Sequence, residues 1–543
     1  MTLREMATQA QDSQGAQQSH TMIKRAVVSA FIFRFPRGQP TKPSVALFKR
    51  SEKVRTYRHH LAPISGSIDP GDPDPLAAAW RELCEETTLT PSDLSFWRTG
   101  KPFTFSDPSI GREWTVHPFA FRLKDPAEGG QGEEAIRTDW EHEGWQWYDP
   151  RTVLEDESLT TVPRLQDSLK RVWFEGTINE RAGRALATGL ERLRADHESG
   201  AHELTAIALT VFRDIIVYTQ NHLDAEWWTM IRMAAWHLIK NGRESMGAAT
   251  QNAILSVLAE IEDIMEQKTG AEQKWDRILA LIDFHLRNRA DTAQQVKQAF
   301  ISYLQAHFSS GGTQMHRLTM LTISSSSTIR DSILEAYDAL GIQTLELRVL
   351  ESRPLFEGAS LASSILSTFK SQSNSPDKHL RITMYTDASA ALAAKDVDIV
   401  LLGADRISAT KGVSNKTGSL PLVLSAKHVT PSVRVVVLSD IEKVNGTAGI
   451  INDELTESND SFEVSSAWCS DGVKGVQVLE NGMRGSKSEQ ENSSVTVVNN
   501  YFEWVPLDMV DAFICEEGVL EKDRIQEKSR KLGEKADRCF GTL

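Results

Sequence analysis

The sequence predicts a multidomain α/β chain, and three observations predict it. At 543 residues the chain exceeds what one hydrophobic core usually serves. Strand-like runs rich in β-branched and aromatic residues dominate 22–175, and helical periodicity takes over across 176–312. From 313 to 543 strands alternate with helices, the pattern of a doubly wound parallel sheet. The expected order is an α/β/α sandwich, a helical subdomain and a parallel sheet with helices on both faces.

Residues 1–21 are rich in Gln, Ser and Thr without an apolar core, which predicts a disordered tail and no secretory signal; Glu5 and Asp12 argue against a transit peptide. Strands are expected at 24–33, 44–48, 114–121 and 145–148, and a helix over 161–172 with Pro163 in its first turn. Apolar positions at helical spacing then mark 181–194, 201–219, 226–240, 247–266 and 272–287. Trp227, Trp228 and Trp236 read as core of this helical part. In the last region strands are expected at 318–323, 344–350, 382–385, 399–402 and 435–438, with a helix over 328–340. The polar stretch 453–494 reads as a disordered insertion.

The chemistry is densest at 66–89. Arg81-Glu82-Leu83-Cys84-Glu85-Glu86 lies in a helix-forming run. Glu82, Glu85 and Glu86 stand at i, i+3 and i+4, so their carboxylates share one helix face. Like charges at that density repel unless a cation lies between them, and hard oxygen ligands suit Mg²⁺ or Mn²⁺. Gly66 and Gly71-Asp72 supply a turn that can bring backbone to the same place. A solvated helix face would carry the same three glutamates, and the glycine turn in front of the helix is what favours a site.

This segment resembles the box of the Nudix pyrophosphohydrolases, with Gly66, Arg81, Glu82, Glu85 and Glu86 matching. Asp72 stands where that family usually has Glu, the spacing to Arg81 is one residue longer, and Thr88 replaces a glycine at the helix end. The resemblance implies hydrolysis of a nucleoside diphosphate derivative, ADP-ribose-like, with Glu82, Glu85 and Glu86 holding the metal and Arg81 orienting the carboxylates. Glu141 or Glu143 could act as base.

In the third region the polar signals fall at strand ends, where doubly wound sheets bind ligands. They are the serines from Ser324 to Ser327, Glu351-Ser352-Arg353-Pro354, Thr386-Asp387 and Gly403-Ala404-Asp405-Arg406. Serines opening a helix form an anion site by geometry, and an arginine nearby adds a fork for phosphate. Arg243, between two helices, can hold a phosphate or simply occupy a turn.

The run 403–428, GADRISATKGVSNKTGSLPLVLSAKH, is similar to that of a family uniting methylthioribose-1-phosphate isomerase, ribose-1,5-bisphosphate isomerase and the regulatory α, β and δ subunits of initiation factor 2B. The resemblance spans roughly 180–520 and implies a Rossmann-like domain that binds a sugar phosphate. On it, Arg353, Asn415 and Lys416 contact substrate, and Asp405 with Ser324 occupies the catalytic positions. Ser324 falls where the isomerases place a cysteine. A thiol can be tuned to move a proton near neutral pH, and a hydroxyl needs an adjacent base. The alternative implied is a regulatory or scaffold protein with a degenerate isomerase site.

A net charge of −14 disfavours a broad nucleic-acid-binding face. Cys84, Cys469, Cys515 and Cys539 are scattered without disulfide or zinc spacing, which fits a reducing, cytoplasmic setting. No apolar run is long enough to span a bilayer. The second resemblance implies a homo-oligomer through the C-terminal domain; the apolar segments 420–426 and 505–510 could form its interface or simply core.

Overall fold

A computed structural model describes residues 22–36, 42–197, 199–220, 222–308, 316–372, 377–446, 450–451, 453, 457, 459–484 and 495–543. The tail 1–21 lies outside the described residues. The chain divides into two compact units, one up to residue 183 and one over 184–542.

The first unit is built on β1 (Ile23–Arg34), β2 (Ser44–Arg50), β3 (Leu61–Ala62), α1 (Pro75–Thr87), β4 (Leu94–Thr99), β5 (Phe103–Asp107), β6 (Arg112–Leu123), β7 (His142–Tyr148), α2 (Pro150–Glu155) and α3 (Leu165–Val172). Its sheet runs β3-β2-β1-β6-β4, with β5 also on β6 and β7 on β2. β1 and β6 pair in parallel and the other pairs are antiparallel. The period of two along each strand divides the core. Val28, Ala30, Ile32, Ala46 and Phe48 pack with Ala78, Ala79 and Leu83 of α1. Phe31, Phe33, Val45 and Leu47 pack with Val153, Leu165, Leu169 and Val172. That is the expected α/β/α sandwich. Helix α3 starts later than Pro163, because Val162 N–H donates to Leu61 O at 2.9 Å and keeps the backbone extended until Arg164 turns left-handed (φ 63°).

The second unit opens with helices α4 (Glu180–Ala195, whose first turn belongs to the first unit), α5 (Ala201–Tyr218), α6 (Ala225–Lys240), α7 (Ala248–Glu266) and α8 (Ala271–Phe308). Helix α8 runs 38 residues, well beyond the expected 272–287. Near its start Trp275 meets Trp227 edge-on at 5.0 Å, and Asp283 accepts from Arg213 at 2.7 Å. Toward its end Val296, Phe300 and Leu304 enter the core of the sheet.

That sheet follows the order β10-β9-β8-β11-β14-β16-β17. Its members are β8 (Arg317–Ile323), β9 (Thr344–Leu350), β10 (His379–Tyr385), β11 (Ile399–Leu402), β14 (Arg434–Leu438), β16 (Ala512–Cys515) and β17 (Gly518–Leu520). All pairings are parallel except that of β17. Helices α9 (Ser327–Ala339) and α10 (Glu357–Gln372) bury Ile329, Ile333, Leu361 and Ile365 on one face. Helices α11 (Ala390–Ala393) and α12 (Ser419–Val429) bury Ala390, Ala393, Leu422 and Val423 on the other, which makes the sheet doubly wound. A second small sheet, unforeseen from the sequence, joins β12 (Arg406–Ser408), β13 (Gly412–Lys416) and β15 (Phe502–Val505). Leu422, Val423, Ala426, Val505 and Val510 are buried within this unit, whereas Pro421, Leu424 and Asp508 are exposed.

Within 453–494, helices α13 (Phe462–Ser470) and α14 (Val476–Arg484) form where the sequence suggested disorder. The Glu463 carboxylate anchors the first by accepting from Asn499 at 2.8 Å and Tyr501 at 2.5 Å. Residues 485–494 lie outside the described residues. No helix among the described residues is long and apolar enough to cross a membrane.

Candidate functional site

Helix α1 carries the glutamates because its ends are locally fixed. Asp74 caps it by accepting from Ala77 N–H at 2.8 Å, and Pro75 opens the first turn. Thr88 ends it in the left-handed region (φ 62°), a conformation glycine adopts more readily. Its hydroxyl donates to Ala135 O at 3.2 Å, so the residue that departs from the Nudix pattern is held by a bond of its own.

Arg81 organises the exposed side of the site. It donates to Asp72 at 2.9 and 3.1 Å, to Glu82 Oε1 at 2.7 Å, to Glu85 Oε2 at 3.3 Å and to Ser67 O at 3.0 Å. These bonds lower the Asp72 pKa, so the shorter acid at that position is ionised and locks the guanidinium. Gly66 lies directly against Glu82: a Cβ there would stand 2.0 Å from Glu82 Cδ.

The three glutamates part ways. Glu85 faces solvent, with its side chain 60% exposed, and bonds only outward to Arg81. Glu82 is largely buried; burial raises its pKa against the pull of Arg81. Glu86 is buried, and its carboxyl is pushed up to about 10, first by burial and then by the charges of Glu141, Glu82 and Asp139. Its Oε2 stands 2.6 Å from His142 Nε2. Burial pushes the His142 ring down to about 4, so the ring is neutral and the pair shares one proton. The loop bearing Asp139 is strapped to the helix end by Arg137 N–H to Thr87 O and Asp139 N–H to Glu86 O, both 3.1 Å.

The two expected bases sit in different surroundings. Glu141 is partly buried and its pKa is raised, first by burial and then by Asp139. Glu143 has its pKa lowered by bonds from Lys49 at 2.9 Å and His59 at 2.7 Å. His142, Asp139 and Asp72 were not picked out as site residues from the sequence; the signal available was a histidine placed between the two candidate bases. Among the described residues no three His, Cys, Asp or Glu side chains stand together as a metal cluster, and Glu85 pairs with Arg81. The donor set at Glu82 and Glu86 is nevertheless all carboxylate and short of positive charge, which suits a hard divalent cation.

In the second unit Asp405 follows β11 and sits at the start of the small sheet, its N–H donating to Ser414 O at 2.8 Å. Burial raises its pKa, while Lys443, Lys416, Arg243 and Arg406 oppose that rise. Lys443, missed in the sequence, is held by its bond to Ala404 O at 2.7 Å. Lys416 pairs with Glu357 at 2.9 Å and lies over the rings of Tyr501 and Phe502 at 4.7 and 5.0 Å. Arg243 donates to Asp196 O at 2.8 Å and to Glu457 at 3.1 Å. Asn415 donates to Ser419 at 3.0 Å.

The structure thus gathers Asp405, Lys416, Arg243 and Arg406. Arg353 is exposed, donates to Glu351 at 2.9 Å and lies over Phe356. Ser324 ends β8 with φ 72°, and the cap of α9 is Ser326, which accepts from Ile329 N–H at 3.3 Å. The N-terminus of α12 is already filled by Glu503, which accepts from Gly418 and Leu420 N–H at 2.5 and 3.0 Å.

Comparison with known proteins finds a family match in each part of the chain. The NUDIX domain profile matches residues 23–168, and that of the initiation factor 2 subunit family matches 197–522. Methylthioribose-1-phosphate isomerase of Pseudomonas fluorescens (strain Pf0-1) is 28% identical over 174 residues, covering 32% of this chain and 40% of that protein. The isomerase of Magnetococcus marinus is 31% identical over 191 residues, covering 34% and 46%. The chain therefore spans under half the length of these relatives. Among solved structures, translation initiation factor eIF-2B of Pyrococcus horikoshii OT3 shares 17% identity over 63% of this chain and 98% of that one, with a TM-score of 0.43. The eIF2B-beta2-delta2 complex from C. thermophilum shares 12% identity over 70% and 100%, also at 0.43. Because the match over 197–522 takes in more than half of the chain, the protein belongs to the initiation factor 2 subunit family, with a Nudix domain at 23–168.

Proposed function

We propose that the Nudix domain hydrolyses the diphosphate of a nucleoside diphosphate derivative, ADP-ribose-like, and that the second unit binds a sugar phosphate. The observation that carries the first part is the crowding of Glu82, Asp139 and Glu141 on the buried Glu86, beside Arg81 and Arg50. A divalent cation, Mg²⁺ or Mn²⁺, would supply charge neutralisation and polarisation of the diphosphate there. Glu82 and Glu86 would hold it, and Glu85 would join only by leaving Arg81. Arg81 keeps Glu82 oriented, and His142 keeps Glu86 aimed by its shared proton. Glu141 takes the proton of the attacking water, since its raised pKa makes it a better base than Glu143. Turnover of the purified protein with Mg²⁺ against ADP-ribose, nucleotide sugars, dinucleotides and coenzyme A tests this; no metal-dependent hydrolysis across that set would reject it.

For the second unit, Lys443, Lys416, Arg243 and Arg406 act on the buried Asp405, and Lys416, Arg243 and Arg406 also pair with Glu357, Glu457 and Asp453; a sugar phosphate would bind by exchanging some of these pairs for its own oxygens. Hydrolysis of an ADP-ribose-like compound releases a ribose phosphate, which is the matching ligand class. The missing thiol at Ser324 favours binding without isomerisation, the scaffold-like alternative. Ser324→Cys separates the two: a gain of aldose–ketose exchange shows that the rest of the catalytic set is intact. Pairing through this unit would appear in light scattering, and a strict monomer of about 60 kDa at micromolar concentration would remove it.

A further inference from the structure

Two of the carboxylates that answer the cations around Asp405 come from one place. Asp453 and Glu457 lie outside every helix and strand, ahead of α13. Glu457 accepts from Arg243 Nη2 at 3.1 Å and from the Ser245 hydroxyl. Asp453 stands 3.6 Å from Arg406 Nη1 and accepts from Asn445 Nδ2 at 2.9 Å. Both arginine side chains are nearly sealed from water, Arg243 at 7% exposure and Arg406 at 4%. A buried guanidinium is costly without an anion beside it, and each has taken a carboxylate from the same stretch of chain.

Lys416 differs. Its carboxylate, Glu357, sits in the first turn of α10, a helix that packs on the sheet through Leu361 and Ile365. Glu357 is therefore a fixed partner. Asp453 and Glu457 are held by their neighbours instead. Ile451 is buried at 4%, and a Cβ on Gly247, just ahead of α7, would meet its side chain at 3.2 Å. Further on, Asn459 N–H donates to Asn499 O at 2.9 Å, and Asn499 Nδ2 donates to Asp460 O at 2.8 Å. Tyr501, whose ring lies under Lys416, donates to Glu463 at 2.5 Å. Asp453 and Glu457 have no place in a helix or strand, so each can leave its arginine without unmaking an element of the fold, provided another anion replaces it.

We propose that Asp453 and Glu457 are built-in competitors of the anion this unit binds: they hold Arg406 and Arg243 in its absence, and a phosphate enters only as they withdraw. This rests on the sugar-phosphate reading above and adds what sets the affinity. An attached carboxylate competes at an effective concentration on the order of millimolar, so the unit binds a free phosphate more weakly than its cations alone would.

Calorimetry of full-length wild type, Glu457→Gln, Asp453→Asn and Asp460→Asn with ribose 5-phosphate and with inorganic phosphate tests this. Asp460 lies in the same run, but its carboxylate accepts from Phe462 N–H at 2.9 Å, so its variant removes an equal charge without releasing an arginine. The expected result is a Kd about tenfold lower in Glu457→Gln and in Asp453→Asn, and within about twofold of wild type in Asp460→Asn. Glu457→Gln leaves a buried arginine short of an anion and can weaken the fold. Ser245→Ala is the milder release: it removes one bond to Glu457 and no charge, and should lower Kd by about threefold. If wild type binds and the released variants bind no tighter, the competition is overturned and the sugar-phosphate reading stands. An equal gain in Asp460→Asn would also overturn it, as an effect of net charge. A gain for inorganic phosphate alone keeps the competition and rejects the sugar. Binding of neither probe by any of these proteins rejects both.

Discussion

The two sites pose opposite electrostatic problems. Around Glu86 stand Glu141, Glu82 and Asp139, with Arg81 on Glu82 and Arg50 beside Glu141; burial and that crowd keep the Glu86 carboxyl protonated. Around Asp405, one carboxyl meets Lys443, Lys416, Arg243 and Arg406. In the first site carboxyls press on one another, so a buried acid holds its proton; in the second, Lys416, Arg243 and Arg406 are each paired with a further carboxylate, Glu357, Glu457 and Asp453, so charge is largely balanced within the fold.

The comparison can be broken most sharply at Glu86. Glu86→Gln keeps the bond to His142 and removes one ligand charge, so metal-dependent hydrolysis should fall by about 10²-fold or more, of order 3 kcal/mol of transition-state stabilisation, while the melting temperature holds. Wild-type turnover by this variant on a verified substrate would move the metal site elsewhere. Gly66→Ala probes the same carboxyl crowd from the backbone side. The new methyl displaces only the flexible end of Glu82, so kcat should drop by roughly tenfold with little change in thermal stability. A large loss of stability with normal kcat per folded molecule would contradict that placement.

In the cation-rich site, Lys416→Ala should weaken pentose phosphate binding by about 2 kcal/mol, since a charge-assisted contact is lost. Arg353→Ala should cost less if the gathered cations carry the phosphate, and calorimetry of the two variants ranks them. The smallest effect concerns pH. Asp405 has its folded pKa raised, so its protonated form stabilises the fold below the ordinary aspartate range, and that contribution fades as pH rises above it. Asp405→Asn should therefore melt a few degrees above wild type near pH 8 and approach it toward pH 4. The opposite trend would mean that the surrounding cations outweigh burial.

Much of this was legible in local sequence. The i, i+3, i+4 glutamates and the glycine turn before them placed helix α1 and its shared face, whereas the Asp74 cap and Pro75 came only with the structure. The divergence of Glu85 from Glu86 was not legible, because the two lie on either side of the line where that face meets the sheet. Asp139 and His142 meet Glu86 more than fifty residues along the chain, and such partners leave no periodic trace. The small sheet escaped for a related reason. Strands of 3 to 5 residues such as β12 and β13 are too short for alternation to register, and all eight of their residues are buried. In α8 the polar run after Arg287 hid the continuity that Val296, Phe300 and Leu304 then restore.

Helix α8 carries one more consequence. At 38 residues it is a rod of about 57 Å, with aromatic and ionic ties to α5 and α6 near one end and apolar ties to the sheet at the other. A continuous hydrogen-bonded helix transmits displacement far better than it absorbs it. Any ligand that shifts the strands against Phe300 and Leu304 must therefore tilt the helical layer with them, and anything gripping that layer must bias the sheet in return. Were a ligand to bind at the strand ends and shift the sheet, linkage would make its affinity and the posture of the helices change together.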